Sequence, residues 1–331
     1  MSFLPYFDVD ESLRGLAGKA EGFGRHAIGG LHGEIYYVTS LADDGCGTLR
    51  EGCRRKEALW IVFEISGMIE LLTSVRVSSY KTIDGRGQKV KLRGKGLQLK
   101  ECEHVIVCNL NFEGGRGHDV DAIQIKPNSK HIWIDRCSFQ YYSDGLIDIT
   151  CQSTDITISR CHFARHDKTI LIGANSKHIM DRCIRVTIHH CFFDGTNQRH
   201  PRVRFAKVHL YNNFTTNWAI YAVCASVESQ IVSQCNIYEA GNKKSVFKYL
   251  TEKAGDKEEE SSGAIRSEGD LFLNGSQACL NTNKDHLEEC VLKVDEHYTA
   301  WTVQPATLAL KQTIKMFAGW QDVPRPQLGF S

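Results

Sequence analysis

The sequence predicts an all-β chain folded as a single-domain right-handed parallel β-helix, a solenoid with an irregular N-terminal segment and a C-terminal capping helix. Three observations lead there. First, the segments HIWIDRCSF, DITISRCHF, RVTIHHCFF, KVHLYNNFT and QIVSQCNIY share one plan, with a weaker copy in HVIVCNLNF at 104–112. Each alternates β-branched or apolar residues, then places a small or polar residue (Cys137, Cys161, Cys191, Asn212, Cys235), then an apolar residue two later. Second, those positions recur at steps of 24, 30, 21 and 23 residues. Third, every unit holds another short strand pattern, AIQIK, LIDIT, TILIG or AIYAV, with no helical spacer. Short strands rich in Ile and Val at such a period bury their apolar faces by stacking coil upon coil. An open sandwich would show turn signals every 8–12 residues and less self-similarity.

The elements follow in order. Residues 1–30 are irregular, and YKTIDGRG at 80–87 reads as a strand and turn entering the solenoid. The solenoid core spans about 60–250, within one domain covering 1–331. The charged run EKAGDKEEESSG at 252–263 reads as an exposed loop, and 251–331 as loop and C-terminal cap. From Pro305 to Trp320, Leu308, Leu310, Ile314 and Phe317 recur at roughly helical spacing, which suits a helix packed over the solenoid.

Composition excludes several function classes. Forty Lys+Arg against thirty-nine Asp+Glu is not the excess of base that marks a nucleic-acid binder. No run of eighteen apolar residues marks a membrane span. The N-terminus, MSFLPYFDVDESLRGLAG, carries acids where a signal peptide needs a basic start and an apolar centre. The expectation is a monomer; the chain as written carries no secretion address, and its compartment stays open, cytoplasmic or leaderless included. The thirteen cysteines form no CxxC pair, so they read as reduced, buried residues, one per coil. FGRHAIGG resembles a dinucleotide-binding turn, but no strand–helix–strand unit surrounds it.

The chemistry-bearing residues fall on the repeats. Asp119 and Asp121 stand in GGRGHDVDAIQI, and Asp144 and Asp148 at the corresponding place one turn later in SDGLIDIT. Even separations put each pair on one face of an extended strand. The reading is two aspartate pairs in register on neighbouring turns, without an obvious basic residue among them. Such a cluster is costly unless it is protonated or holds a metal, and oxygen-only ligands suit a hard cation, calcium above magnesium. Aspartates that merely end strands and cap turns are the plainer alternative. Two turns further come His166, Asp167 and Lys168, then Arg199, His200, Arg202 and Arg204 in TNQRHPRVRF. Alternation places His200, Arg202 and Arg204 on one side of a strand, with Arg199 at its mouth. Acid and base on successive coils of one face suit a polyanionic chain, its carboxylates bridged by calcium at one end and paired by Lys and Arg at the other.

These stretches resemble the plant-type pectate lyases, polysaccharide lyase family 1. The similarity runs through FGRHAIGG, GTLRE, LWIVFEISG, YKTIDGRG, HIWIDRCSF, SDGLIDIT, HDKTILIG, QRHPRVRFAKVHLYNNFTTNW and RSEGDLFLNG, from about residue 22 to 275. The resemblance implies calcium-dependent β-elimination on polygalacturonate, the one partner expected, with no nucleic acid or membrane. It implies Asp119, Asp144 and Asp148 as calcium ligands, joined by Asp121 when substrate brings further ions. Lys168 and Arg204 would pair with substrate carboxylates, and Arg199 would take the C5 proton. A guanidinium gives up its proton only at very high pH, so that role carries an alkaline optimum. The sequence departs from the pattern at Arg136, where the family has histidine after WID, and at His200 and Val203 in the arginine motif; SKHIMDRCIR at 176–185 lengthens a coil near the cleft. A non-catalytic polyuronate-binding protein or a calcium-free pectin lyase on the same fold are the alternatives.

Overall fold

The structure, a computed structural model, describes residues 12–249, 263–281 and 291–328. The charged run expected to loop out at 252–263 lies, up to its last residue, outside them, as do residues 1–11 of the irregular N-terminal segment. The described residues form three parallel sheets wrapped into a solenoid. A ten-stranded sheet runs from Glu34–Val38 to Ala264–Glu268, an eight-stranded one from Val75–Val77 to Phe247–Lys248, and a nine-stranded one from Gly67–Glu70 to Leu271–Leu273. The stacked strands thus begin ahead of residue 60, and YKTIDGRG contributes a strand, Lys81–Asp84, to a coil already under way.

Each residue stacks on its equivalent one coil earlier. Ile132, Ile156, Val186, Val208 and Ile231 pair in sequence across the ten-stranded sheet. The inward rings of Phe112, Phe139, Phe163 and Phe193 stack at centroid separations of 4.8, 5.1 and 5.0 Å. That is the strand spacing itself, so register and core packing are one and the same constraint.

The corner after each ten-stranded-sheet strand corrects the repeat alignment. Asn109, Arg136, Arg160, His190, Asn212 and Cys235 all adopt left-handed backbone, φ 49–55°. The residue after each turns inward, giving the column Leu110, Cys137, Cys161, Cys191, Asn213, Asn236. Asn213 Oδ1 accepts from the Cys191 amide at 3.0 Å and Asn236 Oδ1 from the Asn213 amide at 2.8 Å. Asn212 and Cys235 therefore belong to the corner, and the cysteine stack is continued by asparagines. The one-residue slip arose because corner and column are both polar in YNN and QCN. Asn213, the first residue of a sequon, spends its side-chain amide on the Ile188 carbonyl at 2.8 Å. All described cysteines are free thiols.

The N-terminal segment lies on the outside of the ten-stranded sheet, where the threonines Thr187, Thr157 and Thr82 accept the amides of Phe23, Gly24 and Gly30 at 3.0, 2.9 and 3.0 Å. A Cβ at Gly24 would stand 2.6 Å from the Thr157 amide nitrogen, so the FGRHAIGG glycines serve close approach to a sheet. The C-terminal helix, Leu308–Phe317, is capped by Thr307 and buries Leu310 and Ile314 against Phe192, Phe214 and Ile237 on the nine-stranded sheet. Leu308 faces outward. No helix of the described residues is long and apolar enough to cross a membrane.

Candidate active site

The eight-stranded sheet and the turns leading into it carry the site residues expected from the sequence. Its inward columns, such as Ile125, Ile149, Ile172 and Val203, are fully buried. Its outward column reads, coil by coil, Arg76, Gln98, Gln124, Asp148, Leu171, Arg202, Cys224, Lys248. Acid and base therefore stand two coils apart with Leu171 between them, about 10 Å at the usual strand spacing.

The two aspartate pairs are not in register. Strand pairing sets Asp148 beside Gln124, and continuing it sets Asp121 beside Gly145. Asp121 is buried and reaches across: its Oδ1 accepts from the Gly145 amide at 2.6 Å and its Oδ2 from Gln124 Nε2 at 2.8 Å. A Cβ on Gly145 would lie 2.8 Å from Asp121 Oδ1 and 3.1 Å from Asp148 Oδ1. Gly145 thus leaves open a cradle flanked by two carboxylate oxygens. Burial, then the Asp121 charge, pushes the Asp148 carboxyl up to about 8. Burial likewise raises Asp121, with Asp144 adding to the effect.

Asp119 and Asp144 sit differently. Asp119 is exposed in a turn with φ 53°, where strand alternation does not apply, and its side chain meets Asp144. Nor is the cluster free of base: Lys168 Nζ lies 2.6 Å from Asp144 Oδ1. Burial alone would raise Asp144, but the Lys168 ammonium holds its carboxyl below the usual range. Lys168 pairs with Gly145, so it stands one coil beyond Asp144 and not two. His166 Nε2 lies 2.8 Å from the Asp144 carbonyl oxygen, and burial lowers that imidazole. Among the described residues no three His, Cys, Asp or Glu side chains are gathered tightly enough to hold an ion as they stand.

On the basic side, Arg199 is half-buried with φ 67°, and its Nε is buried without a hydrogen-bond partner. Its charge favours the ionised forms of both Asp144 and Asp148. Arg202 and Arg204 are buried; Arg204 Nη1 donates to the Gly173 and Ala174 carbonyls at 3.0 and 3.2 Å. His200 does not join them. It points inward, 5.0 Å from the Phe193 ring and 2.7 Å from Thr196 Oγ1, and burial pushes its imidazole down to about 3. The strand proper is only Arg202–Val203, so alternation does not reach back to His200.

Three contributors escaped the sequence reading: Gln124, Gly145, and Tyr221. Tyr221 is buried near Arg202 and Arg199; burial raises its phenol while those guanidinia oppose the shift. Gln124 and Gly145 become visible once the 24-residue coil offset is applied strictly. Beside these groups a cleft of about 670 Å³ opens, lined by Tyr141, Tyr142, Asp144, Arg165, His166, Lys168 and Asn197 among others.

Two of the departures lie away from this cleft. Arg136 sits on the ten-stranded side, its Nη1 2.7 Å from Asp135 Oδ2. Val203 belongs to the core. The longer coil at 176–185 forms a short 3-10 helix, Ile179–Cys183, pinned by Arg182 to Glu228.

With this geometry in view, the sequence model of the pectate lyases matches residues 70–323. The chain belongs to the pectate lyase family. It is 39% identical over 287 residues to probable pectate lyase 13 of Arabidopsis thaliana, covering 81% of this chain and 57% of that protein. It is 40% identical over 255 residues to a pectate lyase of Nicotiana tabacum, covering 70% and 64%. The chain therefore spans well under two thirds of the first of these relatives and a little under two thirds of the second. Among solved structures it is similar to jun a 1, the major allergen from cedar pollen, with TM-score 0.80, 33% identity, and coverage of 93% of this chain and 94% of that one. It shares the fold of the pectate lyase of Bacillus sp. N165 in complex with trigalacturonate, with TM-score 0.72, 20% identity, and coverage of 91% and 98%.

Proposed function

We propose that this chain cleaves polygalacturonate by β-elimination with calcium as cofactor. The observation that carries this is the pairing of Asp121 and Asp148 over Gly145, two coils from Arg202 and within the field of Arg199. A partly buried carboxyl raised to about 8 beside a second acid is short of a cation. An all-oxygen donor set with room left by a glycine suits calcium. Asp121 and Asp148 would hold the ion, with Asp144 and Asp119 available once Lys168 is drawn to a substrate carboxylate. The trigalacturonate held by the Bacillus relative supports the substrate class.

Bound calcium would neutralise a uronate carboxylate and so acidify the adjacent C5–H. The chain's own residues do the rest. Lys168, at the cleft wall, would exchange Asp144 for a carboxylate of the chain. Arg204, its guanidinium plane fixed by the Gly173 and Ala174 carbonyls, would pair with another. Arg199, once its guanidinium has lost a proton to water at alkaline pH, would accept the C5 proton; the released electron pair forms the C4–C5 double bond as the C4–O bond breaks, and the leaving oxygen takes a proton from water. The Lys168–Asp144 pair, which ties up two of these groups, favours a second reading as a cation-independent polyuronate binder.

The test is an absorbance assay on polygalacturonate with and without chelator. The expected result is unsaturated product that disappears on chelation. New reducing ends without absorbance would mean hydrolysis, and binding without cleavage would favour the second reading.

A further inference from the structure

The cleft does not end at the turn that joins the nine- and eight-stranded sheets. Arg165 lines both the 670 Å³ cleft and a separate groove of about 330 Å³ on the outer face of the nine-stranded sheet. Between them stands Tyr141, about half exposed, whose hydroxyl accepts from Arg165 Nη1 at 3.2 Å. The groove's floor is one outward column: Glu113 pairs with Gln140, and Ala164 with Asp194 one coil on. Ala164 offers only a methyl group to fill its place, so the column sinks between Gln140 and Asp194. The C-terminal tail forms a neighbouring wall, where a Cβ on Gly319 would stand 2.5 Å from Ser138 Oγ.

The two hollows differ in charge. The cleft is lined by two bases, Arg165 and Lys168, beside Asp144 and Asp167, and Lys168 bridges to Gln198, the residue before Arg199. The groove presents Glu113 and Asp194, together with amides and hydroxyls, and Arg165 is the sole Lys or Arg lining it among the described residues. Glu113 is already paired with the Lys91 ammonium at 2.6 Å, and Asp194 Oδ2 lies 3.3 Å from His162 Nε2. A uronate anion would meet two carboxylates there, with only Arg165 among the described lining residues to answer it. An uncharged pyranose or furanose, whose hydroxyls donate to carboxylates and exchange bonds with amides, gains several hydrogen bonds.

We propose that the groove is a subsite for an uncharged sugar carried by the acidic chain in the cleft, the connection turning the corner at Tyr141 and Arg165. This rests on the polyuronate reading above. The sugar is either a neutral side branch or a uronate whose acid is esterified, since both lack the anion and keep the hydroxyls.

The test is calorimetric binding to the full chain, with calcium present, of three matched oligogalacturonates: linear, carrying a neutral branch, and carrying one methyl ester. The branched or the esterified oligomer is expected to bind about tenfold tighter than the linear one, the worth of one or two hydrogen bonds. Whichever does so identifies the source of the uncharged sugar. Ala164→Phe, which fills the depression, should bring that ratio to one, and Gln140→Ala, which needs no repacking, should lower it. Equal or weaker binding of both modified oligomers by the wild type would overturn the subsite, as would a ratio that survives both substitutions. Cleavage of the linear oligomer is scored separately by absorbance, so a failure of the lyase reading is distinguishable from a failure of the groove.

Discussion

The ten-stranded and eight-stranded sheets each hide aspartates on their outer faces, and treat them oppositely. Asp135, under the ten-stranded sheet's N-terminal cover, lies 2.7 Å from both Arg136 Nη1 and Arg160 Nε and accepts from Ser159 Oγ at 2.6 Å. Burial alone would raise its carboxyl, yet Arg160 and Arg136 hold it below the usual range. Asp84 is treated alike by Arg86. Asp148, only partly enclosed over the other sheet, has no such partner, and its carboxyl rises to about 8. The same solenoid thus gives Asp84 and Asp135 guanidinium partners and leaves Asp121 and Asp148, beside the cleft, without one. The missing counter-charge sets these two pairs apart.

This contrast can be broken by moving charges on either face. The largest effect belongs to the cleft: Arg199→Lys should lower turnover by about 10²–10⁴-fold, the usual worth of a general base, while leaving the melting temperature unchanged. A conserved rate would remove Arg199 from the chemistry. On the other face the signs reverse. Asp135→Ala should cost about 3–5 kcal/mol in denaturant unfolding, because it strips a buried carboxylate from two guanidinia. Asp148→Asn, in the absence of calcium, should cost little or stabilise. Similar losses for both would erase the distinction.

Acid should act mainly through buried imidazoles. Burial lowers His200 to about 3 and His209 to about 4, and takes His189 and His190 well down. The folded chain keeps these neutral while the unfolded chain binds protons below about pH 6.5, so stability is lost as pH falls through that value. Each such histidine costs about 1.4 kcal/mol per pH unit until its folded-state value is reached. His200→Gln should flatten the acid limb of a stability–pH profile by one proton, and an unchanged slope would show that His200 titrates normally. The smallest effect is expected of Arg204→Ala, a rise in KM of about tenfold or more with turnover largely kept, because a held carboxylate is bound equally before and during reaction.

The fold was legible because a solenoid writes its period into the chain. The corner was misaligned by one residue because Asn212 and Asn213 offer the same chemistry to two different backbone conformations. Asp144 and Lys168, singled out from the sequence, do line the cleft, but their pairing was not legible. The Lys168–Asp144 contact and the Asp121–Gly145 bond both cross from coil to coil, where a shift of one position changes every partner. Likewise His200 could not be read as interior from a motif whose extended part is only two residues long.

The central claim is that the unpaired acids over Gly145 await a cation. Thermal unfolding with and without calcium tests it most directly, in the wild type and in Asp148→Asn. Calcium at a hundredfold excess over its dissociation constant should stabilise the wild type by about 3 kcal/mol and leave the variant unmoved. A wild-type melting temperature indifferent to calcium and chelator would contradict it.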